Sequence, residues 1–240
     1  MEWNAETWNN ADEWTAVDGG ERWSDPWGSA PAQWHFSILP RVHRFLPANR
    51  VLEIAPGFGR WTQFLLEHCE NLIGVDISGR CIETCRERFG ESPKASFYEN
   101  DGFSLKDVED QTIDFAFSFD SLVHAEWDVI AAYLQELARV LQAEGVAFIH
   151  HSNLGALIDQ GNGHGRAITV SGEKVMTECG KYGLSVVSQE RINWGDAGVI
   201  DCLTVLTRAP WSSPVIIENP KFMCEASHVG SISQLYTPGG

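Results

Sequence analysis

Residues 50–76 limit the possible folds of this chain more than any other stretch. A short apolar run over 51–55 predicts a buried strand, Gly57 and Gly59 permit a sharp turn, and Trp61, Phe64 and Leu65 open the apolar face of a helix. A second apolar run over 72–75 predicts another strand, and it stops on Asp76. Strand, glycine turn, helix, strand and terminal acid together predict one half of a doubly wound α/β sheet. In such sheets ligands lie beyond the carboxyl ends of the strands, which places the candidate site there.

A pair of glycines alone does not say which ligand. Pyrophosphate binders carry a third glycine where this chain has Thr62, and they have little use for an acid within the first strand, where this chain has Glu53. Glu53 and Asp76 together suit a ligand with excess positive charge. At this point the sequence resembles the class I S-adenosylmethionine-dependent methyltransferases. Residues 53–59 resemble their first motif, with Ala55 and Pro56 standing where the family usually has its first glycine. Asp76, followed by Ile77, resembles the acid that holds the ribose hydroxyls, and Asn100, Asp101, Gly102 and Phe103 resemble the loop that brackets the adenine. The resemblance implies S-adenosylmethionine as cofactor and S-adenosylhomocysteine as product. The implied cofactor-binding residues are Glu53, Ala55, Gly57, Gly59, Asp76, Ile77, Asp101, Gly102, Phe103 and Phe119. It implies a Rossmann-like α/β fold, with a seven-stranded, mostly parallel sheet, helices on both faces and an antiparallel last strand.

The chain has 240 residues, 43% of them hydrophobic, enough for one large α/β domain with appendages. The expected division is a tryptophan-rich extension over 1–48, the cofactor domain over 49–208 and a tail over 209–240. A formal net charge of −16 opposes attraction to nucleic acid or anionic lipid. The six cysteines form no CxxC pair, so reduced thiols in or near the core are expected rather than a zinc site or a disulfide framework. The amino terminus lacks the plan of a signal peptide, and no stretch approaches the roughly 20 apolar residues of a membrane span. These features lead to the expectation of a cytoplasmic protein.

Six of the ten tryptophans fall in residues 1–48: Trp3, Trp8, Trp14, Trp23, Trp27 and Trp34. They either cover the cofactor and shape the acceptor pocket or pack the extension onto the domain. A helix is expected over 33–45, then another capped by Ser78 and closed by Gly90. Strands are expected over 95–99, 113–119 and 146–150, with a strongly amphipathic helix over 126–142. The glycine-rich loop over 153–165 is expected to be mobile. After a helix over 171–182, strands over 184–188 and 199–207 are joined by a link too short for a parallel crossover, so they should run antiparallel.

Methyl transfer to a hydroxyl requires a base for the acceptor proton, and candidates must stand at the carboxyl ends of the central strands. Asp120 and His124 follow the fourth strand, and His150 and His151 end the fifth, where alternation points the last two in opposite directions. Asp120, His124 and His151 are the catalytic candidates. Asp120 and His124 are suitable metal ligands, but their spacing matches no strong motif, so no metal is expected. Residues 53–62, 119–124, 150–155 and 193–202 also resemble methyltransferases associated with bacterial polysaccharide and lipopolysaccharide assembly. That likeness implies a sugar or glycan hydroxyl as acceptor. The alternatives are a small-molecule O- or N-methyltransferase and a non-catalytic cofactor-binding partner subunit.

Overall fold

The computed structural model describes residues 20–157, 165–195 and 197–236. Trp3, Trp8 and Trp14, and most of the glycine-rich run inside the 153–165 loop, lie outside the described residues. The strands are β1 (Ala48–Ile54), β2 (Cys69–Asp76), β3 (Ala95–Glu99), β4 (Ile113–Ser118), β5 (Leu141–Ser152), β6 (Ser185–Ile192), β7 (Asp201–Thr207) and β8 (Val215–Asn219). They form one sheet in the order β3-β2-β1-β4-β5-β7-β6-β8. β1 is parallel to β2 and β4, β2 to β3 and β4 to β5, while β7 runs antiparallel to both β5 and β6. The order reverses between β1 and β4, which opens a crevice at their carboxyl ends.

The helices are α1 (Ala30–Gln33), α2 (Leu39–Val42), α3 (Thr62–Glu67), α4 (Gly79–Phe89), α5 (Trp127–Val140), α6 (Gly172–Lys181) and α7 (Phe222–Tyr236). The Ser78 side chain accepts from the Cys81 amide and caps α4, and Ser171 does the same for α6 through Lys174. α5 buries Val129, Ile130, Tyr133, Leu134 and Leu137 at helical spacing. The helix expected over 33–45 is interrupted. Pro40 has no amide hydrogen, and Leu39 donates five residues back to the Trp34 carbonyl, so a π-helical stretch (Trp34–Ile38) joins α1 to α2.

Strand alternation splits the core in two. Leu52, Ile54, Ala116, Ala147, Ile149 and Leu206 pack on the side of α5 and α6. Val51, Phe115, Phe117, Phe148, Leu203 and Val205 pack on the other, against residues of α3, α4, α7 and the 27–42 segment. Of the described tryptophans, Trp27 and Trp34 are fully buried in that second layer. Trp34 stacks on Phe64 at 5.2 Å and Trp27 meets Phe222 edge-on at 6.0 Å, while Trp23 stays partly exposed. Trp27 and Trp34 therefore act as packing.

Among the described residues the sheet has eight strands rather than the expected seven. Residues 209–240, expected as a tail, supply β8, parallel to β6 at the edge, and the long α7. Arg41 ties these parts together, donating to both Glu190 carboxylate oxygens at 2.6 and 2.7 Å and to Glu225 at 3.0 Å. The expected antiparallel pairing of the 184–188 and 199–207 segments is present as β6 and β7. No helix among the described residues is long and apolar enough to cross a membrane.

Candidate active site

A pocket of about 660 Å³, its open mouth included, lies at the carboxyl ends of β1, β2 and β4 and under the first turns of α5. Ala55, Gly57, Asp76, Ile77, Gly102 and His124 line it, together with Cys81, Ser121, Leu122, Ala125, Val129 and Tyr133.

The loop after β1 is shaped by its backbone. Ala55, at the place of the family's first glycine, has φ 57°, and Asp120 at the end of β4 has φ 62°. Both are left-handed conformations that disfavour residues with a Cβ. The two strained corners are tied together, because the Ser121 hydroxyl donates to the Ala55 carbonyl at 2.9 Å. Gly57 has φ +57°, and a Cβ added there would project into open space, so the backbone can meet a ligand closely. Gly59 faces the protein instead. A Cβ there would come within 2.4 Å of the Phe89 ring, so its role is to let the loop settle on α4.

Asp76 receives the Gly57 amide at 3.1 Å and the Ser78 amide at 2.9 Å on its two oxygens, so it holds the loop in place. Burial raises its carboxyl to about 6, against the lowering effect of these amides. Glu53 lies buried beneath the loop, accepting from the Thr62 hydroxyl at 2.6 Å through Oε2, while its Oε1 has no partner. Burial pushes it up to about 8; the Thr62 bond and Arg60 pull it down, and the Asp76 charge adds to the rise. Asp101, Phe103 and Phe119, also expected to bind the cofactor, do not line the pocket. Asp101 caps its own turn by accepting from the Phe103 and Ser104 amides, which holds its carboxyl below the usual range. Phe103 packs on the α5 side of the core, and Phe119 is buried between Trp61 and His150.

These features suit S-adenosylmethionine. The chain presents an acid at the end of β2 and a glycine corner open to close approach. A second acid, Glu53, lies buried beneath the corner with one carboxyl oxygen unpartnered.

The catalytic candidates separate. The His124 ring is half-buried and lines the pocket, and its Nδ1 lies 2.8 Å from the Gly165 carbonyl oxygen. A carbonyl can only accept, so Nδ1 carries the hydrogen and the neutral ring has its lone pair on Nε2. Burial lowers its pKa below the ordinary 6.5; the Gly165 bond opposes this and the Arg166 charge adds to it. His151, the other histidine among the catalytic candidates, is turned away from the pocket. It shares the alternation of Ala147 and Ile149, which turns it to the α5 and α6 side. There it is fully buried, with ring nitrogens 2.8 Å from the Ser152 carbonyl and 2.8 Å from the Thr204 hydroxyl, and burial drives its pKa to about 4.

His150, on the opposite side, joins a buried group of charges at the same sheet edge. Its Nδ1 accepts the Asp120 amide at 3.2 Å, and its Nε2 donates to Asp201 at 3.1 Å. Asp201 also takes Arg166 through Nε at 3.0 Å and Nη2 at 2.8 Å, and Asp120 takes Arg60 at 3.0 Å. Trp194 covers the group, 5.4 Å from the His150 ring and 5.0 Å from the Arg166 guanidinium. Arg60, Arg166, Trp194 and Asp201 were not among the candidates from sequence. The available signal was topological: β7 is antiparallel to β5, so its first residue, Asp201, lies opposite Ser152 at the ligand-binding edge.

Comparison with known proteins agrees with this geometry. Residues 51–145 match the methyltransferase domain family. A 55-residue stretch is 31% identical to ribosomal RNA small subunit methyltransferase A of Geobacter metallireducens, covering 23% of this chain and 20% of that protein. The chain thus spans about a fifth of that curated relative's length. Among solved structures, a Haloferax volcanii methyltransferase in complex with the Trm112 methyltransferase activator superposes with a TM-score of 0.58 at 18% identity, covering 83% of this chain and 97% of that one. An S-adenosylmethionine-dependent methyltransferase from Aquifex aeolicus gives 0.55 at 15% identity, covering 75% and 94%. The sheet order, the corner between Glu53 and Gly59 and the acid at the end of β2 accord with these likenesses: residues 51–145 match a methyltransferase domain, and the chain has the fold of solved S-adenosylmethionine-dependent methyltransferases.

Proposed function

We propose that this chain moves a methyl group from S-adenosylmethionine to a hydroxyl of a sugar, glycan or similarly small acceptor, with His124 as general base. The observation that carries the reading is the position and tautomer of His124. It lines the same pocket as Ala55, Gly57, Asp76 and Gly102, and its Nδ1–H is committed to Gly165, so Nε2 is the basic nitrogen.

Bound S-adenosylmethionine supplies an electrophilic methyl group on a positively charged sulfur. Asp76, Ile77 and Gly102 would hold its nucleoside end, and Ala55 and Gly57, above Glu53, its amino-acid end. Leu122, Ala125 and Val129 give the pocket an apolar stretch of wall. His124 takes the hydroxyl proton on Nε2 as the oxygen attacks. The lowered pKa keeps the ring neutral, and therefore able to accept that proton, at neutral pH. Asp120 is held by Arg60 and His150 and serves as a fixed negative charge behind His124 rather than as a second base. His151, buried on the far face, takes no part.

A hydroxyl acceptor gives the base its purpose, because an amine already carries a lone pair when neutral. The choice of a sugar rests on the sequence likeness of 119–124, 150–155 and 193–202. The net charge of −16 argues against an RNA acceptor, even though the curated relative is a ribosomal RNA enzyme by name. The test is transfer of labelled methyl to a panel of free sugars, nucleotide sugars, phenols, amines and ribosomal RNA. Sugars should be labelled, and His124→Ala should lower turnover by roughly 10²- to 10⁴-fold with cofactor affinity unchanged. Labelling of amines alone, or a His124→Ala variant with normal turnover, would overturn the reading.

A further inference from the structure

The buried charges around Asp201 are costly to assemble and make no direct contribution to the pocket lining. Two arginines, two aspartates and a histidine, nearly all inaccessible, lie at one corner of the sheet. Two segments leave this corner for the pocket. One is the turn from Asp120 to His124, and the other begins at Gly165. They meet twice: Gly165 takes the His124 Nδ1–H at 2.8 Å, and the Ala167 amide donates to the Val123 carbonyl at 2.9 Å.

Asp201 reaches both segments. On one side, its Oδ2 receives His150 Nε2–H, which leaves the Nδ1 lone pair to accept the Asp120 amide and holds that residue at its left-handed φ of 62°. On the other, its carboxylate takes the Arg166 fork in two bonds and so fixes the residue next to Gly165. Arg166 also lies 3.7 Å from Asp120 and closes the circuit. A backbone amide can only donate, so the direction of the His150 bonds follows from the chemistry of its partners.

We infer that Asp201 is a positioning residue: through His150 and Arg166 it sets the two segments that hold the His124 ring and select its Nδ1–H tautomer. The positioning is read from geometry. Its purpose, presenting Nε2 to an acceptor, rests on the function proposed above, so the test reads the tautomer directly in the ligand-free protein.

Histidine side-chain nitrogens would be labelled with ¹⁵N and long-range proton–nitrogen correlations recorded at neutral pH, with His124→Ala assigning the His124 pattern. Wild type should show one Nδ1–H tautomer at His124. Asp201→Asn, which keeps the size and loses the charge, should show the two nitrogens shifted toward each other as tautomers and ring orientations mix. S-adenosylhomocysteine affinity by titration calorimetry should stay near wild type, because Asp201 lies outside the pocket lining. Arg166→Lys keeps the charge, loses the two-bond fork and should give the same loss in smaller degree, so it decides the matter if Asp201→Asn fails to fold. A folded variant of either kind with the His124 pattern unmoved would overturn the positioning role. Normal turnover in His124→Ala would overturn the base reading instead, leaving the tautomer result as the judge of Asp201.

Discussion

Replacing Glu53 by glutamine should change how the stability of this protein depends on pH, and by a predictable amount. Glu53 is 1% exposed, and one of its carboxylate oxygens has no partner. Burial first, with the Asp76 charge adding to it against Thr62 and Arg60, raises its pKa from 4.5 to about 8. Because the folded value is raised, the stability that protonated Glu53 gives is fully present below 4.5 and is lost as pH rises through about 8. Between pH 5 and pH 8, a group with those two values costs the fold about 3 kcal/mol. Glu53→Gln keeps the shape and removes the titration. Its stability relative to wild type should therefore rise by about 3 kcal/mol across that window. At pH 5 the variant starts behind, since a buried amide hydrogen without an acceptor costs about 1–3 kcal/mol. Asp76 also titrates upward, but it is common to both proteins and largely drops out of the difference. Urea unfolding at pH 5, 6.5 and 8, followed by tryptophan fluorescence, would measure the two curves. Parallel curves would refute the assignment of a protonated Glu53 and the reason given for it.

The two glycines of the corner should respond differently to a methyl group. Gly59→Ala meets Phe89 at a φ of +87° and should lose at least about 1–2 kcal/mol of unfolding free energy. Gly57→Ala places its Cβ in open space, so its larger effect should appear as weaker S-adenosylhomocysteine binding in a calorimetric titration. Trp27→Ala removes a fully buried indole that donates to Ser37 at 2.8 Å and contacts Phe222 and Trp194. It should cost about 3–5 kcal/mol by denaturant unfolding, and a loss under 1 kcal/mol would show that the 20–45 segment is not part of the folded core.

The central fold was legible because its signals are local. Residues 50–76 declare β1, the corner, α3 and β2 in order, and the apolar spacing from Val129 to Leu137 declares α5. β8 was not legible because Val215, Ile216 and Ile217 are all substantially exposed at the sheet edge, follow a proline and show no alternation between a core face and a solvent face. The opposite orientations expected for His150 and His151 are present, but which ring faced which layer depended on the register with β7. Asp201 was marked in the sequence only as part of the 193–202 resemblance, without a role. Its importance comes from an antiparallel strand beginning at the edge where the parallel strands end. The split between Gly57 and Gly59 was likewise hidden, because sequence marks both as turn residues and only the packing of Phe89 separates them.

The central claim is that S-adenosylmethionine binds at the carboxyl ends of β1 and β2 with Asp76 as a principal anchor. Titration calorimetry of S-adenosylmethionine into wild type and Asp76→Ala, with thermal unfolding to confirm that both are folded, tests it most directly. The loss of charge-assisted hydrogen bonds worth roughly 1.5 to 3 kcal/mol each predicts at least about tenfold weaker binding in the variant. Equal affinity in the two proteins, or no binding by wild type, would contradict the account.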